Sequence, residues 1–312
     1  MHDADTKGSD EPAPDSAIRL VNRATGRPFA TARGPEILAA SRTKTWWKSP
    51  LVFEVHRMSS HAYEEHTTDG HQLMVNLGGP VPIGWLEGAT RRESVLRPDD
   101  LCIQSDGDSN APRWGDTFTF ATASLGRTAL DNLLGEDAPP PTELFPKRHC
   151  VAAPAVAAFA RTLAREIEAP TEPLYVETLV LALMLHLTAT YGRASTRKGL
   201  SPQRRLGALQ LRTVIDFTHS ELSSRITLAT MADTIGYSPY QFARMFKATT
   251  GRAPHQFVLS LRLERARRLL DVSGSVAGIA LTTGFYDQAH LTNAFRKAYG
   301  MTPMTYIHRR SR

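Results

Sequence analysis

Two sets of side chains, 49 residues apart, carry the most specific chemistry in this chain of 312 residues. In the first, Tyr240, Gln241, Arg244, Lys247 and Ala248 fall at i, i+1, i+4, i+7 and i+8 of a helical stretch. They lie opposite an apolar stripe of Phe242, Met245 and Phe246. In the second, Ala289, His290, Asn293, Arg296 and Lys297 lie opposite Leu291, Ala294 and Phe295, and Gln288 opens the stretch. A guanidinium can bridge O6 and N7 of guanine, and a carboxamide can bridge N6 and N7 of adenine. Lysine and arginine also neutralise phosphate. Tyr240, Gln241, Arg244, Lys247, Gln288, His290, Asn293 and Arg296 are therefore candidate contacts to double-stranded DNA.

A third constellation would do different chemistry. His56, His61, His66 and His71 fall within sixteen residues, with Glu64 and Glu65 among them. Imidazole and carboxylate together suit iron or zinc. However, the paired H-x-H with a later Glu is missing, and DGDSNAPRW (106–114) returns no histidine. The reading is therefore no metal and no other cofactor, with His66 and His71 left to hydrogen-bond a small molecule. Trp46, Trp47, Trp85 and Trp114 could wall an apolar pocket, with Arg113 as a carboxylate partner. The candidate effector contacts are His66, His71, Trp85, Arg113 and Trp114. Cys102 and Cys150 are too few for a disulfide framework; they could form a redox pair but are read as unreactive thiols, although Cys150 follows Lys147, Arg148 and His149. His255 and His308 fall at non-reading positions and are expected at the surface. No G-x-S-x-G, Walker loop or H-E-x-x-H occurs, so no enzyme is expected.

The elements that must position these residues follow from composition and pattern. The hydrophobic share is 41% and the charged share 22%, ordinary for a globular chain of about two domains. The acidic, polar start is no signal peptide, and residues 1–17 read as a disordered leader. The longest apolar run, Leu179–Leu185, is far short of the ~20 residues that span a bilayer. LVFEV (51–55), HQLMVNL (71–77), DLCIQ (100–104) and TFTFATASL (117–125) read as strands separated by Gly, Pro and Asp clusters. Short strands without intervening helix predict an antiparallel barrel or sandwich. Residues 155–168 place Val156, Phe159, Leu163 and Ile167 on one helical stripe, and 174–191 form a second helix that is apolar almost all round. A barrel face covers only one side of such a helix, so the remainder is expected to meet a second chain, with Leu183 at the contact. Residues 193–204 are read as a linker.

From 205 onward the pattern is helical and repeats. Ala232 and Gly236 recur as Ala280 and Gly284; Phe242, Phe246, Lys247, Gly251, Pro254 and Phe257 recur as Leu291, Phe295, Arg296, Gly300, Pro303 and Tyr306. Each unit is a short helix, a glycine stop and a second helix. Thr227 and Ser238 serve as N-caps and Pro239 sits at a first helical position. This is a helix-turn-helix, whose second helix fits a major groove about 12 Å wide. A helix over 254–271, carrying Arg262, Arg265, Arg267 and Arg268, is expected to act as a rigid basic strut between the units. Residues 201–312 hold 16 basic and 6 acidic side chains, a net of +10, whereas residues 1–200 hold 21 and 25, a net of −4. The last third is basic enough to seek a polyanion.

Over about 205–310 the chain resembles the AraC/XylS family of bacterial transcription regulators. The resemblance rests on A-x3-GYS-x3-F-x-R-x-FK-x3-G at 232–251, on R-L-x-x-A-x-x-L-L at 262–270, and on IA-x3-GF-x-D-x-x-x-L-x3-FRK-x-x-G-x-TP-x-x-Y at 279–306. Many members carry a basic residue where this chain has Asn293 and an aromatic where it has Leu291, which leaves the base preference of the second motif open. The resemblance implies an N-terminal cupin-like barrel that senses a small molecule, followed by helices that dimerise.

The expected fold is α+β and multidomain: a leader (1–17), a cupin-like antiparallel β-barrel with a helical hairpin (18–192), a linker (193–204) and an all-α double helix-turn-helix domain (205–312). The expected function is a cytoplasmic, sequence-specific DNA-binding regulator controlled by a small effector. It would act as a homodimer, and would engage RNA polymerase if it activates. The alternatives are a cupin-type metalloenzyme with a helical appendage and an effector-free DNA-binding activator.

Overall fold

The computed structural model describes residues 20–22, 36–44, 51–68, 70–105, 107–125, 145–170, 172–192, 205–272 and 275–310. The leader 1–17, the linker 193–204, Trp46 and Trp47 lie outside these residues.

Six strands form the main antiparallel sheet: β2 (Glu36–Ala40), β3 (Val52–Met58), β6 (His71–Asn76), β9 (Asp100–Gln104), β12 (Phe118–Leu125) and β13 (Arg148–Ala152), in the order β13-β9-β6-β12-β3-β2. A second sheet, β4-β11-β7-β8, joins His61–Ala62, Arg113–Trp114, Val81–Glu87 and Thr90–Leu96. A small third sheet, β1-β5-β10, joins Leu20–Asn22, His66–Thr68 and Ser109–Asn110. The four strands expected from the sequence all lie in the main sheet.

The main sheet is buried on both faces, and alternation along its strands divides two cores. Phe53, Val55, Leu73, Val75, Leu101, Ile103, Ala121 and Ala123 share one apolar cluster with the helices that follow. Met58, Cys102, Phe118 and Phe120 share another with Val81, Ile83, Leu96 and Trp114 of the facing sheet. The space between the facing sheets is the cavity described below.

Helices α1 (Pro154–Glu168) and α2 (Pro173–Tyr191) each begin on a proline, where a missing N–H costs no hydrogen bond. Helix α1 buries Val156, Ala157, Ala160, Leu163 and Ile167. Phe159, expected on that stripe, is only partly buried against the same core. Helix α2 corrects an expectation. Leu183 is 2% exposed and shares an interior gap with Phe53, Leu73 and Val156, so it is core rather than a contact between chains. A second side of α2 packs on the chain's own C-terminal helices, while Leu179, Ala182, Leu185 and His186 are half-buried. One apolar cluster runs from the main sheet through Val180, Leu181 and Met184 into Leu228, Met231, Phe242 and Val258. By length and hydropathy alone α2 could cross a membrane, but eight of its residues, Leu174, Val176, Val180, Leu181, Leu183, Met184, Leu187 and Thr188, are buried in the protein.

The C-terminal region is helical throughout: α3 (Ala208–Ser220), α4 (Leu228–Asp233), α5 (Pro239–Thr250), α6 (Pro254–Val272), α7 (Val276–Thr282), α8 (Gln288–Tyr299) and α9 (Pro303–Arg310). Helix α6 spans two cores. Val258, towards its start, belongs to the cluster shared with the N-terminal sheets. Leu263, Ala266 and Leu270, further along, pack with Val276, Ile279, Ala280, Phe285, Leu291 and Phe295.

Candidate nucleic-acid interface and ligand cavity

The repeat in sequence is a repeat in geometry. Gly236 (φ 71°) and Gly284 (φ 82°) hold left-handed turns between the two helices of each unit. Gly251 (φ 74°) and Gly300 (φ 71°) close the second helices in the same conformation. Ser238 caps α5 by accepting from the Gln241 N–H at 3.2 Å, and Asp287 caps α8 by accepting from the His290 N–H at 2.7 Å. Such caps are each worth ~1 kcal/mol. They fix where each outer face begins.

The structure redraws the outer face of α5. Tyr240, expected there, is buried at 3% exposure. Its ring lies under the Arg244 guanidinium at 5.3 Å, and its hydroxyl accepts from Arg244 Nη1 at 3.3 Å. Gln241 is half-buried and turns back, its carboxamide oxygen accepting from the Ser238 N–H at 3.4 Å to close a capping box. Lys247 is exposed. On α8, Gln288, Asn293 and Arg296 are exposed, and Arg296 Nη2 donates to Asn293 Oδ1 at 3.2 Å. His290 is half-buried, edge-on to Phe285 at 5.0 Å, and burial holds its imidazole down at about pKa 4. The outward polar surface therefore consists of Arg244 and Lys247 on α5 and of Gln288, Asn293 and Arg296 on α8.

Helix α6 is a strut, but not a uniformly basic one. Arg262 is buried at 3% exposure. It donates through Nε to Leu222 O at 3.1 Å, through Nη2 to Ser224 O at 2.9 Å, and through Nη1 to the buried carboxylate of Glu172. Glu172 is the N-cap residue of α2, so this ion pair ties the helical region to the N-terminal region. Glu177 of α2 makes a second tie by accepting from the Leu228 N–H at 2.6 Å, at the start of α4. Burial raises its carboxyl to about pKa 7. His255, expected at the surface, is half-buried and meets the Tyr175 ring edge-on at 5.5 Å.

Residues 231–309 match a family described as a helix-turn-helix domain. The transcriptional regulator YidL of Escherichia coli is 37% identical over 107 residues, covering 34% of this chain and 35% of that protein. The regulator GlxA of Rhizobium meliloti is 27% identical over 248 residues, covering 75% of this chain and 74% of that protein. The crystal structure of the DNA-binding domain of AdpA, a global transcriptional factor, in complex with a target DNA shares 31% identity across 32% of this chain and 90% of that one, with a TM-score of 0.31. The C-terminal region is a helix-turn-helix DNA-binding domain of the AraC/XylS type. The chain spans 35 to 44% of the length of three of the curated relatives it matches. Both YidL and GlxA carry the name of helix-turn-helix transcriptional regulators.

Ahead of the AraC-type domain, a cavity with an empty volume of about 710 Å³, mouth included, lies between the main and second sheets. His66, Trp85 and Trp114, all expected at an effector site, line it together with Tyr63, Met74, Phe120 and Thr122. His71 stands apart on the opposite face of the main sheet, edge-on to Phe145 at 5.9 Å. Arg113 also stands apart, exposed and paired with Glu93 on the outside of the second sheet. The four histidines do not converge. His56 pairs with Glu54 at 3.2 Å and Thr122 at 3.1 Å, His61 meets Tyr63, and His66 faces Glu64 O at 2.9 Å. Among the described residues no three His, Cys, Asp or Glu side chains come together to hold a metal.

The sequence reading missed Gln72, Gln104 and His149, which also line the cavity. The available signal was a polar residue at inward positions of otherwise apolar strands. Cys102 and Cys150, which could form a redox pair by sequence but are read there as unreactive thiols, have their thiols side by side in the structure. The neighbouring Cys150 thiol, and then burial, push the Cys102 thiol up, while the Cys102 thiol brings Cys150 down. Cys150 occupies a bulge in β13 at φ 52°.

Proposed function

We propose that this protein is a sequence-specific transcription regulator in which a small molecule, held between the N-terminal sheets, sets how the AraC-type domain engages DNA. The observation that carries the reading is α2. It packs on the main sheet that walls the cavity, and its Glu172 and Glu177 fasten α6 and α4 of the DNA-binding domain. A change in the cavity therefore has a short packed route to the first helix-turn-helix. Arg244, Lys247, Gln288, Asn293 and Arg296 make the DNA contacts, with Tyr240, Gln241 and His290 as the packing and caps beneath them. The protein works in the cytoplasm on chromosomal DNA, and at an activated promoter RNA polymerase is the further partner. Pairing of two chains would not use Leu183, which is core, and sedimentation of the full chain measures it.

The test is selection of bound duplexes from a random pool, followed by footprinting with the full chain. The expected footprint of one chain is asymmetric, with two major-groove contacts about 10 bp, ~34 Å, apart. Arg244→Ala should relax base choice in one contact and Arg296→Ala in the other. Selection that enriches no sequence would overturn the reading.

A further inference from the structure

Three buried nitrogens that line the cavity lack a hydrogen-bond partner: Gln72 Nε2, Gln104 Nε2 and His149 Nε2. They come from three neighbouring strands, β6, β9 and β13. Gln72 and Gln104 are register partners across β6 and β9, and His149 lies in the β13 bulge that pairs with β9. Buried donors left unpaired are costly, so two carboxamide N–H groups facing one space, beside an imidazole nitrogen that can donate or accept, signal a missing acceptor. Neighbouring polar groups are already committed. Thr122 is bonded to His56, Asn110 Oδ1 accepts from the Ala111 N–H, and the Tyr63 hydroxyl points to Met58 Sδ.

The rest of the wall is flat and apolar. Trp85 stacks on His149 at 4.6 Å, and Trp114, Phe120, Met58 and Met74 complete it. Among the described residues no Asp, Glu, Lys or Arg side chain lines the cavity. The nearby ammonium of Lys147 is tied to Leu86 O and Ser109 O. An anion would lose its hydration here and find no lysine or arginine among the described lining residues in exchange.

Taking the cavity as the effector site, as proposed above, we infer that its ligand is an uncharged, planar aromatic molecule with a carbonyl edge, such as an aromatic lactone, amide or ketone. The ring lies against Trp85 and Trp114. The carbonyl oxygen accepts from Gln72 and Gln104. A sugar would leave the indole and phenyl walls poorly covered, and an aromatic acid would bury an unpaired charge.

Three probes of similar size separate these features: coumarin, a neutral lactone; cinnamate, an anion; and naphthalene, which has no acceptor. Calorimetric titration of the full chain should give coumarin at least about tenfold tighter binding than either of the others. Gln72→Met and Gln104→Met conserve length and should abolish the preference for coumarin over naphthalene while leaving DNA binding in a gel shift intact. Cinnamate binding as tightly as coumarin, with competition between them, would overturn the ligand class and keep the cavity as the sensor. Binding of none of the three by a protein that still shifts DNA would overturn the aromatic assignment and leave the regulator reading standing. A preference for coumarin that survives both substitutions would remove the glutamine pair from the site.

Discussion

The first helix-turn-helix unit shares its core with the N-terminal sheets, whereas the second has a core of its own. Helix α5 buries five residues, Tyr240, Phe242, Ala243, Met245 and Phe246, while α8 buries only Leu291 and Phe295. The first unit is also tied to α2 at the start of α4 through Glu177. Two units built on one repeat have thus been given different attachments. A duplicated motif sets the shape of the reading helix, and what packs behind it decides whether that helix responds to the rest of the protein. On this view the first unit transmits the state of the cavity and the second reads DNA from a fixed frame.

The comparison breaks most forcefully at Arg262, which stands where both units and α2 meet. Replacing one partner of a buried, hydrogen-bonded pair leaves the other charge stranded and typically costs ~3–5 kcal/mol. Arg262→Ala should cost that much, because Glu172 loses its cation and the Leu222 and Ser224 carbonyls lose their donors. Denaturant unfolding of the full chain is the measurement. A loss under about 1 kcal/mol would mean that the domains are not fastened there.

The next effect sharpens the contrast between the two glycine turns. Both have positive φ, so a β-carbon is strained at either. At Gly236 a β-carbon meets nothing within 4 Å, and Gly236→Ala should cost about 1 kcal/mol. At Gly284 it would meet Leu222 O at 2.4 Å and Arg262 Nε at 2.7 Å. Gly284→Ala should therefore cost on the order of 2–4 kcal/mol, strain and clash together. Equal thermal shifts for the two variants would refute the close approach.

What was legible in the chain follows the same division. Ala232, Gly236, Phe246 and Gly251 and their later counterparts mark local events, a helix packing face or a left-handed turn, and local events leave a local pattern. The strands were legible because alternation survives even in a two-sided sheet. The failures are tertiary. Arg262 reads as one more surface arginine in a basic helix, and only Glu172, 90 residues earlier, shows why it is buried. Tyr240 sits at an outward helical position, yet it is buried at 3% exposure beneath the Arg244 guanidinium. Helix α2 looks like half of an interface because a sequence does not show that a later domain folds back over it. Gln72 and Gln104 are unremarkable in their own strands and become a candidate site only once register places them opposite each other.

At the DNA surface the units should differ in kind. Arg296 is exposed and held by Asn293, so Arg296→Ala should weaken binding to the selected sequence by ~1–3 kcal/mol without changing stability. Gln241 is spent on its own cap, so Gln241→Ala should cost ~0.5–1 kcal/mol of stability and shift base preference little. Binding measured beside thermal unfolding for both variants decides the matter. Altered base choice in Gln241→Ala would show that the side chain leaves its cap on DNA.

The effect that separates the units most cleanly is their response to pH. Burial raises Glu177, in the tie to the first unit, from its ordinary 4.5 to about 7. The native state then holds a proton that the unfolded chain has released, so stability falls as pH rises between about 4.5 and 7. His290, in the second unit, is lowered from 6.5 to about 4, again chiefly by burial. There the unfolded chain binds the proton first, so the contribution is full above 6.5 and is lost as pH falls towards 4. Acid should thus tighten the docking of one unit and loosen the packing of the other, each by on the order of 1–3 kcal/mol across its window. Other titrating groups, His149 among them, are common to every variant and cancel in differences. Relative to the unaltered chain, Glu177→Gln should gain thermal stability as pH rises from 5 to 8, and His290→Gln should lose it. Difference curves of the same sign would place the two groups in one environment and dissolve the distinction between a coupled unit and an independent one.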